Sequence, residues 1–189
     1  MPSTLIQVPK QKLKHPPLQV HTLGDKVLRQ PAKRINKVTP EIRQLAIQML
    51  QTMYSEDGIG LAAPQVGINK QLIVIDIELK DQAKPPLVMI NPEIKSSGGS
   101  LVIEEEGCLS IPEVFFDVQR PDQVQVAYRD LDGRPQILQA DGLLARVIQH
   151  EMDHLQGVLF VDRVQNSSEL AKSLTKHGFN YKDVEPIKD

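Results

Sequence analysis

His150-Glu151-Met152-Asp153-His154 sets two imidazoles four residues apart, with a carboxylate between them. On a helix, residues four apart lie one turn apart on one face, so both rings can reach a single ion. Glu151 falls on the adjacent edge, where it can touch water on that ion rather than the ion itself. The chemistry open to such a set is metal-assisted hydrolysis, with the ion acidifying water and the carboxylate moving its proton. Histidine accounts for only 5 of the 189 residues, so the pattern is no by-product of a histidine-rich chain. Solvated histidines on a surface helix are the ordinary alternative. They fit poorly here, because Leu143 and Val147 share the histidine face and buried imidazoles need partners.

A catalytic metal site takes three protein ligands and leaves one position open. One subclass of this motif would place a third histidine at position 160, and Phe160 stands there. Asp162 and Glu169 are downstream candidates, although Glu169 also pairs with Asn166 as a helix-cap signal. Cys108 is the remaining candidate and the only cysteine of the chain. One cysteine excludes an internal disulfide, a CxxC redox pair and a cysteine-rich metal knuckle. A lone cysteine is usually a small buried apolar residue. A thiolate is nevertheless a strong ligand, and a dication deprotonates it outright.

The elements that must position these groups can be read from periodicity. The metal helix starts near Asp141, a good N-cap, and stops at Gly157, a good C′ residue. Leu144, Ile148, Glu151 and Leu155 form the face beside the histidine face, and only Arg146, Gln149, Asp153 and Gln156 form a polar stripe. A helix apolar around most of its circumference is predicted to lie inside the protein. An earlier helix opens at Thr39-Pro40, carries Ile42, Leu45, Ala46, Met49, Leu50 and Met53 at helical spacing, and ends by Gly58. Residues 58–65 read as a tight loop. Leu72–Ile77 and Leu87–Ile90 read as strands, the second closed by Asn91-Pro92. Val124, Val126 and Tyr128 alternate as on a half-buried strand, and Asp132-Gly133 signals a hairpin leading to Ile137-Leu138. A last helix follows Asn166 and ends at Gly178. Consecutive strands before a helix predict an α+β fold, with antiparallel or mixed sheets packed around a central buried HExxH helix and a C-terminal helix. The length fits one domain. Residues 1–19, with Pro2, Pro9, Pro16 and Pro17, read as an extended arm, and residues 20–189 as a single catalytic domain.

The net charge of −2 excludes a general nucleic-acid footprint. The charge is uneven, because Lys10, Lys12, Lys14, Lys26, Arg29, Lys33, Arg34 and Lys37 face a single acid, Asp25, within residues 1–37. A solvated basic face is the simplest reading, and contact with an anionic partner such as ribosomal RNA is the alternative. No apolar run reaches membrane-spanning length and no secretory signal is visible, so a reducing cytoplasm is expected, with an organelle stroma or matrix as second choice.

Three segments together resemble the signature motifs of the peptide deformylases: Gly58-Ile59-Gly60-Leu61-Ala62-Ala63-Pro64-Gln65, Glu106-Gly107-Cys108-Leu109-Ser110 and Gln149-His150-Glu151-Met152-Asp153-His154-Leu155. They occur in that family's order and spacing, and the resemblance covers about residues 20–165. The form of the first motif and Leu144-Ala145-Arg146-Val147-Ile148 are most similar to the plant-organelle and cyanobacterial branch. The resemblance implies that Cys108, His150 and His154 hold one metal ion, natively Fe²⁺ in the family, with Zn²⁺, Ni²⁺ or Co²⁺ as substitutes. It implies Glu151 as the proton-transferring carboxylate, with the Gln65 amide and the Leu109 backbone N–H stabilising an oxyanion. The implied substrates are N-formylmethionyl nascent peptides, bound along Gly58, Ile59, Gly60 and Gly107, with the methionine side chain against Ile59, Leu143 and Val147. One departure stands out. Val114-Phe115-Phe116 occupies the stretch where the family often has a basic or small residue, so a basic peptide contact is not carried over to Phe115, and the three residues are expected to form an apolar wall or lid for the substrate.

Overall fold

The computed structural model describes residues 6–187. Helix α1 (Pro40–Ser55) starts where the sequence places it, with Thr39 Oγ1 accepting a bond from Ile42 N and Pro40 at the first helical position. Five strands follow, β1 (Gly60–Ala62), β2 (Leu72–Ile75), β3 (Leu87–Cys108), β4 (Ile111–Arg129) and β5 (Pro135–Asp141), then α2 (Gly142–Leu155) and α3 (Ser167–Lys176). The strands form one antiparallel sheet in the order β1-β2-β3-β4-β5. This is the expected α+β architecture, with α2 as the inner helix and α3 as the C-terminal one.

The period of two in a strand explains how the helices sit. On β2, Leu72 and Val74 face a core shared with Met49, Leu50 and Met53 of α1. Ile73 and Ile75 face the opposite core, shared with Ala145, Val147 and Ile148 of α2. All four β2 side chains are buried, as expected of a strand covered on both faces. The sheet is thus held between α1 and α2 by its own alternation. A third core joins Val114 and Val118 of β4 to Leu28, Phe160, Leu170 and Leu174.

Two sequence expectations change. The strand from Leu87 does not close at Asn91-Pro92 but continues to Cys108. Asn91 does adopt the left-handed turn conformation, with φ +51, yet the result is a register shift between Ile90 and Glu93 rather than an end. A bulge absorbs a turn residue without breaking the ladder. The buried Asn91 side chain also grips Ile35, accepting from its N–H at 2.8 Å and donating to its C=O at 2.8 Å. The segment 58–65 is not merely a loop either, since it holds the edge strand β1 and a short 3-10 helix, Ala63–Val66.

Of residues 1–19, the first five lie outside the described residues. Residues 6–19 form no strand or helix, but they are laid against the body: Val8 is buried, and the backbone N–H groups of Leu13 and Leu18 donate to Ser55 and Thr52 on α1.

Replacing Asn91 by Ala removes both bonds to Ile35 and leaves buried backbone groups unpaired. The expected cost is about 2–4 kcal/mol, read as a lower urea midpoint with an unchanged slope.

Candidate metal centre and cleft

Cys108 at the end of β3, His150 and His154 on α2, and Gln65 on the short helix after β1 meet at one point. The potential ligand atoms of Cys108, His150 and His154 lie within 4.8 Å of one another. Cys108 Sγ is 3.4 Å from His154 Nε2, close to the separation of two ligands held at about 2.1–2.3 Å from a common centre. One thiolate and two imidazoles suit a divalent transition ion, and three protein ligands leave a position open. His154 is deeply buried, and burial followed by the positive neighbours His150 and Arg120 pushes its pKa well down. The neutral ring that results is the ligating form. The donor chemistry therefore fits a metal.

The orientation of His150 is fixed from behind. Its Nδ1–H donates to Glu106 Oε2 at 2.9 Å, which turns Nε2 towards Cys108 and His154. Glu106 is itself buried and receives Arg120 Nε at 2.6 Å, Arg120 Nη2 at 3.0 Å and Arg146 Nη1 at 2.8 Å. Burial opposes ionisation of Glu106, but the hydrogen bonds and charges of His150 and Arg120 outweigh it and hold its carboxyl well below the usual range. At His150 burial also opposes charge. Bonds to Cys108 and Glu106 outweigh that and raise its pKa, so a dication competes with a proton there.

Glu151 sits beside the cluster. Burial lifts its pKa to about 7, and its Oε2 is buried without a hydrogen-bond partner. A carboxyl poised near neutrality can both take and return a proton. Gln65 is aimed by its own carbonyl: Oε1 accepts Ala62 N–H at 2.8 Å, leaving Nε2 to face Ser110 Oγ at 3.1 Å and Cys108 Sγ at 3.5 Å. Leu109 follows directly and is half-buried at the cleft.

The cleft above these groups has a volume of about 580 Å³. Cys108, His150, Glu151 and Gln65 line it together with Ile59, Val147, Leu143 and Phe115. Leu143, expected to be buried on the histidine face, is 51% exposed. It belongs to the first turn of α2 and stands at the open mouth, so only Val147 is buried there. Phe115 is 57% exposed and lines the cleft, whereas Val114 is buried in the third core and Phe116 packs against it, so only one of the three residues expected as a wall or lid faces the cleft. The glycines have a second reason to be glycine. A Cβ on Gly60 would stand 2.4 Å from Glu151 Oε1, one on Gly58 would stand 2.7 Å from Leu109 Cδ1, and one on Gly107 would stand 2.4 Å from the Phe115 ring. They let catalytic candidates pack against backbone.

The polar stripe expected on α2 is only partly solvated. Arg146 and Gln149 are buried, because Arg146 grips Glu106, Glu104 and the carbonyls of Val102 and Val118, while Gln149 donates to Pro121 O. Arg120 is not among the residues that the sequence singles out. Its signal was parity, since Arg120 falls on the same strand face as Val114 and Val118, all three buried. The alternative third ligands lie outside this cluster. Asp162 binds Arg29 and the N–H groups of Leu159 and Glu185, and Glu169 occupies the first turn of α3, its N–H donating to Asn166.

A buried HExxH helix closed by a cysteine from a neighbouring strand defines a metal-dependent hydrolase. The polypeptide deformylase family profile matches residues 17–169, and the chain belongs to that family. It is 64% identical to a peptide deformylase of Microchaete diplosiphon over 187 residues, 99% of this chain and 100% of that one. The crystal structure of a peptide deformylase from Synechococcus elongatus in complex with actinonin superposes with a TM-score of 0.95 at 64% identity, covering 96% of this chain and 99% of that one. The Thermotoga maritima enzyme superposes at 0.75 with 40% identity, covering 80% of this chain and 99% of its own. The chain is therefore an enzyme that removes the formyl group from the N-terminus of newly made polypeptides in a metal-dependent hydrolysis.

Glu106→Gln removes the charge that anchors His150, Arg120 and Arg146. Breaking such a buried network is expected to cost about 3–5 kcal/mol at pH 7. The folded pKa of Glu106 is depressed, so its contribution is fully present above the unfolded value near 4.5 and fades as the pH falls below it. Urea midpoints of the two proteins should therefore converge below about pH 4.5, and a gap that stays constant to pH 3 would contradict this.

Proposed function

We propose that Cys108, His150 and His154 hold one Fe²⁺ ion per chain, that Zn²⁺, Ni²⁺ or Co²⁺ can substitute, and that Glu151 transfers the protons of formyl hydrolysis. The observation that carries this reading is the buried, unpartnered Glu151 carboxyl beside the Cys108/His150/His154 cluster at the base of the cleft. When bound, the ion supplies Lewis acidity and lowers the pKa of water towards neutrality. Glu151, ionised, takes a proton from the attacking water and later delivers it to the leaving amine, releasing formate and a free N-terminal methionine. Gln65 Nε2 and the Leu109 backbone N–H donate to the oxygen on which charge develops, and their fixed orientation avoids reorganisation during the reaction. Gly58, Ile59, Gly60 and Gly107 offer backbone to an extended peptide, and main-chain pairing tolerates many sequences. Ile59, Val147 and the rim residue Leu143 receive the methionine side chain.

No helix of the described residues is long and apolar enough to cross a membrane; we place the enzyme in the cytoplasm, where nascent chains emerge. Contact with the ribosome through the basic N-terminal part would use the exposed Lys14, Lys26, Lys33, Arg34 and Lys37. Lys10, Lys12 and Arg29 are already paired with Asp76, Asp57 and Asp162.

Metal-loaded protein is expected to release formate from formyl-Met-Ala-Ser and to stop when a chelator removes the ion; metal-loaded protein that releases none would reject the reading. Glu151→Ala should keep fold and metal content yet lose at least about 10²-fold in kcat. Cys108→Ser should lose metal itself, measured by elemental analysis after gel filtration.

A further inference from the structure

Two lysines upstream of the family-matched segment, which begins at residue 17, are bonded to the wall of the cleft or to the residues directly behind it. Lys10 Nζ lies 2.8 Å from Asp76 Oδ2, with side chains only 3% and 2% exposed. It also donates to Glu78 O at 2.9 Å and Asp81 O at 2.7 Å. These contacts use all three ammonium protons. Tyr54 at the end of α1 donates its hydroxyl to the same Asp76 oxygen at 2.7 Å. The Asp76 backbone N–H donates to Ile59 O at 2.9 Å, next to the Gly60–Ile75 pair that begins β1. Lys12 pairs with Asp57, whose backbone is left-handed at φ +59. Lys12 thus pairs directly with the Asp57 end of residues 57–60, Lys10 reaches the Ile59 end only through Asp76, and all four residues line the cleft.

The wall needs such support. β1 has three residues and pairs on one side only, so its ladder bonds alone fix its position weakly. Its packing is also tight, because Gly60 abuts the Glu151 carboxyl and Gly58 abuts Leu109.

We propose that residues 10–18 are a clamp on this wall, and that Lys10 is a positioning residue. Acting through Asp76 and Ile59, it holds β1 where an extended peptide pairs with it. Its effect falls on affinity for substrate residues downstream of formylmethionine and not on the chemical step. The proposal rests on the reading that the peptide lies along residues 58–60.

The test uses the full, metal-loaded enzyme with two substrates, formyl-Met-Ala-Ser and N-formylmethioninamide, which lacks the downstream residues. Lys10→Met keeps the aliphatic stem and removes the ammonium. It is expected to raise KM for the tripeptide about three- to tenfold, a fraction of the ~10²-fold cost of an ångström misplacement. The kcat for the tripeptide and the kcat/KM for the amide should stay within about twofold of wild type. Lys172→Met, an exposed lysine on α3 away from the cleft, should change neither. If Lys10→Met does not fold, the double variant Lys10→Met/Asp76→Asn, which leaves no buried unpaired charge, is read in the same way. An unchanged tripeptide KM, or a fall in kcat shared by both substrates, overturns the clamp. A wild-type enzyme with no preference for the tripeptide over the amide overturns instead the reading that the peptide lies along residues 58–60.

Discussion

The Glu106 carboxylate is the point on which the interior of this protein depends. It is 5% exposed and bound by His150, Arg120 and Arg146. Ionisable groups in a low-dielectric interior are costly unless paired and fully hydrogen-bonded. Here one carboxylate accepts bonds from two guanidinium groups and one imidazole, and so ties β3, β4 and α2 together. The same interaction that makes burial of the polar face of α2 tolerable also fixes the tautomer of His150. Stability and ligand orientation are thus not separable at this site.

From that constraint the geometry of the centre follows. Glu106 and Cys108 are two residues apart at the end of β3, so anchoring one places the other. His150 and His154 are one helical turn apart, so orienting the first ring brings the second alongside. The strand and the helix each contribute a rigid spacing, and the ion pairs lock the two spacings together. The opposite wall is built differently: backbone, not side chains, approaches Glu151, and glycine at 60 is what allows the contact.

The sheet between α1 and α2 supports both walls. Because β2 is buried on both faces, side chains of opposite parity tie α1 to one core and α2 to the other. The path from the N-terminal segment through Asp76 to Ile59 crosses the edge of this sheet. The rim of the cleft is therefore connected to the N-terminal segment, while the metal cluster joins the end of β3 to α2, two elements separated in the chain by β4 and β5.

The sequence alone determined whatever depends on local spacing or residue type. HExxH on an apolar helix set two imidazoles and a carboxylate on adjoining faces. Thr39-Pro40 set the start of α1, and a lone cysteine within Glu106-Gly107-Cys108-Leu109-Ser110 was legible as a ligand through its family resemblance. Tertiary structure decided what depends on residues far apart. It made Asn91 a bulge that continues β3 rather than a strand end, because Ile35 supplies the partner for its side chain. It buried Arg146 and Gln149, because β3 and β4 bring carbonyls and carboxylates to meet them, and it added Arg120 to the same network. It left Leu143 at the rim, because the first turn of α2 turns Leu144 and Ala145, and not Leu143, against the second core. Local patterns report which groups a segment can present. Which of those groups are desolvated, and against what, is settled only when strands and helices distant in the chain come together, and that pairing selected Glu106, Arg120 and Arg146 as the frame of the metal centre.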